Sequence, residues 1–139
     1  MSDHQVFQYH YQVVATDLDI FGHVNNANYL QMMERARWDF ITQNGYGLKK
    51  IQQTQKGPVL LQADLKFKRE LVDFEKIIIY SQALDLKGKI MYLNQWIEKQ
   101  SKEIAAECLF TVGFFDIEKR KLLHPTDEWL DACGYKKKA

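Results

Sequence analysis

The residue pattern predicts an α+β fold in which one curved antiparallel sheet wraps around one long helix. Three observations predict it. Residues 29–44 carry a helical apolar pattern wide enough to be enclosed on several sides. After Gly57-Pro58, four or so strand-like segments follow one another with no strand–helix alternation, which excludes a parallel doubly wound sheet. One more strand-like segment, Phe7 to Ala15, precedes the helix. At 139 residues the chain is the size of one domain, expected to span residues 1–139.

Each element has its own signal. Phe7, Tyr9, Tyr11, Val13 and Ala15 alternate with more polar residues, the period of a half-buried strand. Asp17–Val24 breaks that alternation, and Gly22 permits a turn. Asn25, Asn26 and Asn28 are each able to cap a helix start. Tyr29, Met32, Met33, Ala36, Phe40 and Ile41 then fall near one helical face, with Leu30 and Trp38 widening it, until Asn44-Gly45 ends the run. Residues 45–57 read as a loop with room for one short helical turn.

Val59–Leu71 reads as a strand with Leu61, Ala63, Leu65 and Phe67 on its apolar face. Lys76–Leu86 and Ile90–Lys99 flank the tight turn Lys87-Gly88-Lys89. Glu103–Asp116 follows, with Ala106, Cys108, Phe110, Val112 and Phe114 on one face, then a charged turn and Leu122-Leu123-His124. Thr126 caps a short helix carrying Asp127 and Glu128 in its first turn, closed by Gly134.

Composition narrows the function classes. Hydrophobic residues make up 46% and proline only 2 positions, so a packed domain is expected rather than a disordered chain. The formal charge is +1, and the Lys66, Lys68, Arg69 cluster is broken by Phe67 and followed by Glu70, so no nucleic-acid surface is expected. No apolar stretch approaches membrane-spanning length, and the first residues lack a signal-peptide pattern, which predicts a cytoplasmic protein without a membrane partner. Cys108 and Cys133 show no metal-ligand spacing with histidine, and Cys108 reads as core.

The chemistry concentrates between the first strand and the helix, in Asp17-Leu-Asp-Ile-Phe-Gly-His-Val-Asn-Asn-Ala-Asn-Tyr. A carboxylate beside a helix start can attack a carbonyl or deprotonate a water that does. The unpaired N–H groups of the helix can hold the oxyanion that forms; losing one such donor typically costs about 2.7–4 kcal/mol of barrier. Asp19 lies seven residues before Asn26, near enough to share a pocket with it. Asp17 and Asp19 can equally be turn residues that satisfy local N–H groups, His23 can cap the turn or serve as an acid or base, and Asn25 and Asn26 can simply cap. Tyr29 sits in the first helical turn, where core packing is the commoner role. The chain has no Gly-x-Ser-x-Gly elbow, phosphate-cradling glycine loop or metal-spaced histidine set.

The stretch from Asp17 to Leu30, followed by Met33-Glu-Arg-Ala-Arg-Trp-Asp, closely resembles hotdog-fold acyl-CoA thioesterases. It is nearest to the 4-hydroxybenzoyl-CoA thioesterase-like family, including its bacterial long-chain acyl-CoA members. The resemblance is specific over residues 13–39 and continues more loosely to Phe115-Asp116-Ile-Glu-Lys-Arg-Lys. It implies a helix enclosed by a curved sheet, two subunits sharing a continuous sheet, and active sites at their interface. It further implies that Asp19 is the nucleophile or general base and that the backbone N–H at Asn26 polarises the thioester carbonyl. Plant acyl-carrier-protein thioesterases have a related Asp-x-Asn-x-His arrangement; Asp19 and His23 match it, but Phe21 stands where the Asn would be. His23 also replaces the apolar residue of the aromatic-substrate enzymes.

The expected activity is hydrolysis of acyl-CoA to free acid and CoA, with Asp19, Asn26 and His23 catalytic and Asn25, Tyr29 and Met33 binding substrate. No metal or cofactor is expected, since CoA is part of the substrate. The expected assembly is a homodimer, with a homotetramer as the larger form. Some of Tyr29, Met32, Met33 and Phe40 are expected to line an acyl slot, so that Met33→Trp would shorten the preferred chain. Alternative expectations are an acyl-carrier-protein thioesterase, for which Lys66, Lys68 and Arg69 would be the docking surface, a hydratase or dehydratase of the same fold, and a non-catalytic acyl-CoA- or lipid-binding dimer.

Overall fold

The computed structural model describes residues 3–137. Strand β1 (Val6–Gln12) forms one edge of the sheet, and its odd positions turn toward the helix, where the Phe7 ring stacks on Phe40 at 4.4 Å. The strand stops before Ala15 because the chain reverses through a short 3-10 turn, Ala15–Asp17. The Asp17 carboxylate drives that reversal by accepting the Val14 N–H at 3.0 Å.

Helix α1 (Asn26–Gln43) begins three residues earlier than its apolar pattern suggests, because Asn25 caps it: the Asn25 side chain accepts the Ala27 N–H at 2.9 Å. Its buried face comprises Tyr29, Met32, Met33, Ala36, Arg37, Phe40 and Ile41. The loop expected over residues 45–57 contains a second helix, α2 (Leu48–Thr54). It lacks a buried stripe, which is why apolar periodicity gave no sign of its length.

The remaining strands are β2 (Lys56–Phe67), β3 (Lys76–Lys87), β4 (Ile90–Lys99), β5 (Ile104–Asp116) and β6 (Lys121–Leu123), followed by α3 (Asp127–Ala132). All pairings are antiparallel, in the order β1-β3-β4-β5-β2, with β6 extending the end of β5. Alternate residues of the three central strands face α1: Ile77, Ile79 and Ala83 of β3, Met91, Leu93 and Ile97 of β4, and Ala106, Cys108, Phe110 and Phe114 of β5 are all buried. Period-2 alternation on one face of a sheet, facing the apolar stripe of one helix, is what makes this a wrapped helix rather than a sandwich. Thr126 caps α3 by accepting the Trp129 N–H, and Trp129 plugs the open end of the core beside Tyr46 and Phe114.

Strand β2 departs from expectation. Its apolar residues remain open, with Leu61 47% and Phe67 54% exposed. Among the described residues it lies at the sheet edge with β5 on one side only, and a register shift between Leu60 and Gln62 breaks its alternation. Helix α1 covers the centre of the sheet and leaves this edge bare. A long edge strand with exposed apolar side chains is a ready template for another strand.

Candidate active site

The loop from Asp17 to Asn25 is a tight reversal held by its own backbone. Leu18 and Val24 form an antiparallel bridge, Asp19 N–H donates to the His23 carbonyl at 2.8 Å, and Gly22 N–H donates to the Asp19 carbonyl at 3.1 Å. Gly22 has φ +78°, a conformation only glycine adopts without cost, so the turn depends on it. A second bridge, His23 to Val72, and a bond from Val24 N–H to the Leu71 carbonyl pin the loop to the segment before β3.

The two aspartates separate into different roles. Asp17 is buried; its Oδ2 accepts both the Tyr11 hydroxyl at 2.7 Å and the Val14 N–H, and its carbonyl accepts Asn25 N–H and Asn28 Nδ2. Burial, followed by the adjacent Asp17 carboxylate, pushes the Tyr11 phenol above its usual range. Every strong contact of Asp17 is spent on positioning the loop. Asp17→Ala is therefore expected to cost about 2–3 kcal/mol by stripping two donors of their acceptor, read as a lowered denaturation midpoint.

Asp19 is half-buried and keeps capacity in reserve. Its Oδ1 accepts the Phe21 N–H at 2.9 Å, which fixes the side chain without consuming the second oxygen. Asp19, His23, Asn26 and Tyr29 line one cleft of about 540 Å³, so four of the residues singled out from sequence converge. The Ala27 N–H is taken by Asn25 Oδ1 and the Asn28 N–H by the Asn25 carbonyl, while the Asn26 N–H receives no acceptor among the described residues. A helix of 18 residues thus presents an open donor and its positive end to the cleft that holds Asp19.

The far wall comes from residues that sequence reasoning does not join to the site: Phe67, Lys68, Arg69 and Glu70. The only hint was an apolar Phe67 at a strand end followed by charges, and pairing of distant segments is what brings it near. The Phe67 ring meets Tyr29 edge-on at 5.1 Å. Lys68 pairs with Glu107 at 3.0 Å and Arg69 with Glu103 at 2.8 Å. Burial raises the Tyr29 phenol above its usual range, and the charges of Glu75 and Glu70 add to that, so it remains a neutral hydroxyl.

Two expected substrate contacts lie elsewhere. The Asn25 side chain is engaged as the helix cap. Met33 is 0% exposed and lines neither this cleft nor the cavity farther along α1; it belongs to the core, as does Met32. Periodicity marks an apolar helical residue as inward-facing but does not say whether core or cavity receives it. Met33→Trp is accordingly expected to destabilise by about 1–3 kcal/mol through overpacking, checked by chemical denaturation, rather than to trim a substrate.

Among the described residues, no group of three or more His, Cys, Asp and Glu side chains is placed to hold a metal ion, and no helix is long and apolar enough to cross a membrane. Both cysteines are buried, and burial pushes the Cys108 thiol up to about 11.

Comparison with known proteins identifies the family and the fold. The thioesterase-like superfamily model matches residues 13–133. Long-chain acyl-CoA thioesterase FadM of Escherichia coli (strain K12) is 31% identical over 107 residues, covering 76% of this chain and 80% of FadM. The structure of YbaW from Escherichia coli superposes with a TM-score of 0.81 at 27% identity, covering 92% of this chain and 96% of YbaW. Staphylococcus aureus SAV2348, solved in complex with CoA, superposes with a TM-score of 0.86, covering 95% of this chain and 84% of its own; at 16% identity that likeness shows the fold alone. The match runs from just after β1, through the Asp17–Asn25 loop, to the end of α3, and the chain belongs to the thioesterase-like superfamily with its hotdog fold.

Proposed function

We propose that this chain is an acyl-CoA thioesterase that hydrolyses acyl-CoA to the free acid and CoA, with Asp19 as nucleophile or general base. The observation that carries the reading is the shared cleft of a half-buried carboxylate and an open helix N–H, Asp19 and Asn26. The identity to long-chain acyl-CoA thioesterase FadM supports the substrate class.

In this reading the thioester carbonyl oxygen lies at the Asn26 N–H, where the helix end stabilises the negative charge of the tetrahedral intermediate. By one route Asp19 attacks the carbonyl carbon, the C–S bond breaks and the sulfur leaves as thiolate; water then hydrolyses the resulting mixed anhydride to the free acid and Asp19. By the other it takes a proton from a water that attacks, and collapse of the intermediate breaks the C–S bond to give the acid and the thiolate directly. A thiol with a pKa of about 8.5 needs little protonation to leave, so water is the only co-reactant and no metal or cofactor takes part. His23, on the same wall, is available to orient the substrate or hand a proton to the sulfur. Tyr29 and Phe67 form the apolar side of the cleft against the pantetheine or the start of the acyl group.

The bare β2 edge supports a homodimer in which the two β2 strands pair and continue the sheet, placing each cleft near the partner. The reading is of a single hotdog domain working in the cytoplasm. Incubation with short, medium, long and aromatic acyl-CoAs, with free acid and CoA quantified by mass spectrometry, tests it: equimolar products are expected. Tight binding of acyl-CoA without products would instead make the chain a lipid-binding dimer.

A further inference from the structure

A second cavity, of about 340 Å³, opens farther along α1, between Arg37 and Ile41 on the helix, Val59 on β2, and Met91 and Leu93 on β4, with Trp129 closing its end. Its wall is mostly apolar, yet Arg37 is only 9% exposed and stands in it. The guanidinium donates one hydrogen bond, to Gln95 Oε1 at 2.9 Å, and lies over the Phe110 ring at 4.4 Å. Gln95 is itself fixed, donating to Ser81 Oγ and to the Met33 carbonyl. Among the described residues no carboxylate pairs with Arg37; Glu34, exposed on the same wall, forms no ion pair with it. Among the described residues no fully enclosed side-chain polar atom lacks a partner. The guanidinium nitrogens left without a bond therefore keep some access to solvent, and the cavity is the space that Arg37 lines.

A fixed cation with free donors in an apolar cavity is a costly arrangement unless something anionic or oxygen-bearing meets it. A hydrocarbon end would leave those donors stripped of water, whereas a carboxylate would take two charge-assisted bonds from them. The cavity and the cleft are both lined by α1 and β2. Tyr29 and Phe67 meet edge-on at the cleft, and Arg37, Ile41, Pro58 and Leu60 line the cavity farther along the same helix and strand. From Asn26 to Arg37 the helix rises roughly 16 Å, about the reach of a medium-length acyl chain.

Resting on the acyl-CoA reading above, we infer that this cavity takes the far end of the acyl group and that Arg37 selects acyl groups ending in an oxygen acceptor, most strongly a carboxylate. The class of substrate is then an acyl-CoA whose chain is apolar in the middle and oxygenated at its tip.

Matched pairs of acyl-CoAs test this, equal in length and ending in either methyl or carboxylate. At the length that reaches Arg37, wild type is expected to show kcat/KM about tenfold higher for the carboxylate member, and Arg37→Met to reverse the preference. Because Arg37 also holds Gln95, a measurement without any variant accompanies it: calorimetric binding of non-hydrolysable thioether analogues of the same pairs to wild type, with the same tenfold preference expected. A methyl preference at every length, or a ratio unchanged by Arg37→Met, overturns the role of Arg37 and leaves the thioesterase reading standing. Absence of both turnover and binding for every pair overturns the two together.

Discussion

Asp19→Asn is expected to lower kcat on acyl-CoA by about 10²–10⁴-fold while leaving the fold in place. The Asn side chain keeps an oxygen where Asp19 Oδ1 accepts the Phe21 N–H, so the loop retains its one side-chain tether at this position. What disappears is the negative charge that, in the proposed mechanism, attacks the carbonyl or accepts the proton of water. Neighbouring Asp17 cannot replace it, because its carboxylate is buried and committed to Tyr11 and Val14. A normal far-ultraviolet spectrum and melting midpoint with turnover lost is the expected pair of results. Turnover within a factor of a few of wild type would remove Asp19 from the chemistry.

Leu61→Glu is expected to convert the proposed dimer to monomer and to take most of the activity with it. Leu61 is 47% exposed at the bulge of a 12-residue edge strand that has a partner on one side only. In an isologous pairing the substitution occurs twice across the twofold axis, so two carboxylates replace two apolar contacts at one seam. Sedimentation velocity reads the assembly and a thiol-release assay the activity. A dimer that survives the change, or a wild type that is monomeric and fully active, would show that the β2 edge is not the seam.

How far the sequence spoke for itself differs between elements. Period-2 alternation located β3, β4 and β5 closely, because each presents one face to a single buried helix. Asn25, Thr126 and Gly134 mark helix ends for local reasons, visible in a few residues. Strand β2 forms where its alternation predicts a strand, but its apolar residues stay exposed, because alternation signals burial only where something covers the strand. The position of Met33 is open in sequence for the converse reason: an apolar helical residue looks the same whether it fills a core or lines a slot. In the fold Met33 is buried and lines neither cavity.

At the site, the loop residues were legible because Asp19, His23, Asn26 and Tyr29 lie within eleven positions of one another. Phe67 to Glu70 were not, since only the pairing of the sheet brings them across the cleft. Arg37 did carry a signal: it interrupts the Met33–Ile41 stripe at four-residue spacing, and a cation on an apolar face requires an explanation. That signal pointed to burial but not to the cavity beside it.

The most direct test of the central claim is free-thiol release from a long-chain acyl-CoA, with wild type and Asp19→Asn measured side by side at equal folded concentration. Rapid release by wild type, falling by at least about a hundredfold in the variant, is the predicted result. Equal rates from both proteins, or no release by either across short, long and aromatic acyl-CoAs, would contradict it.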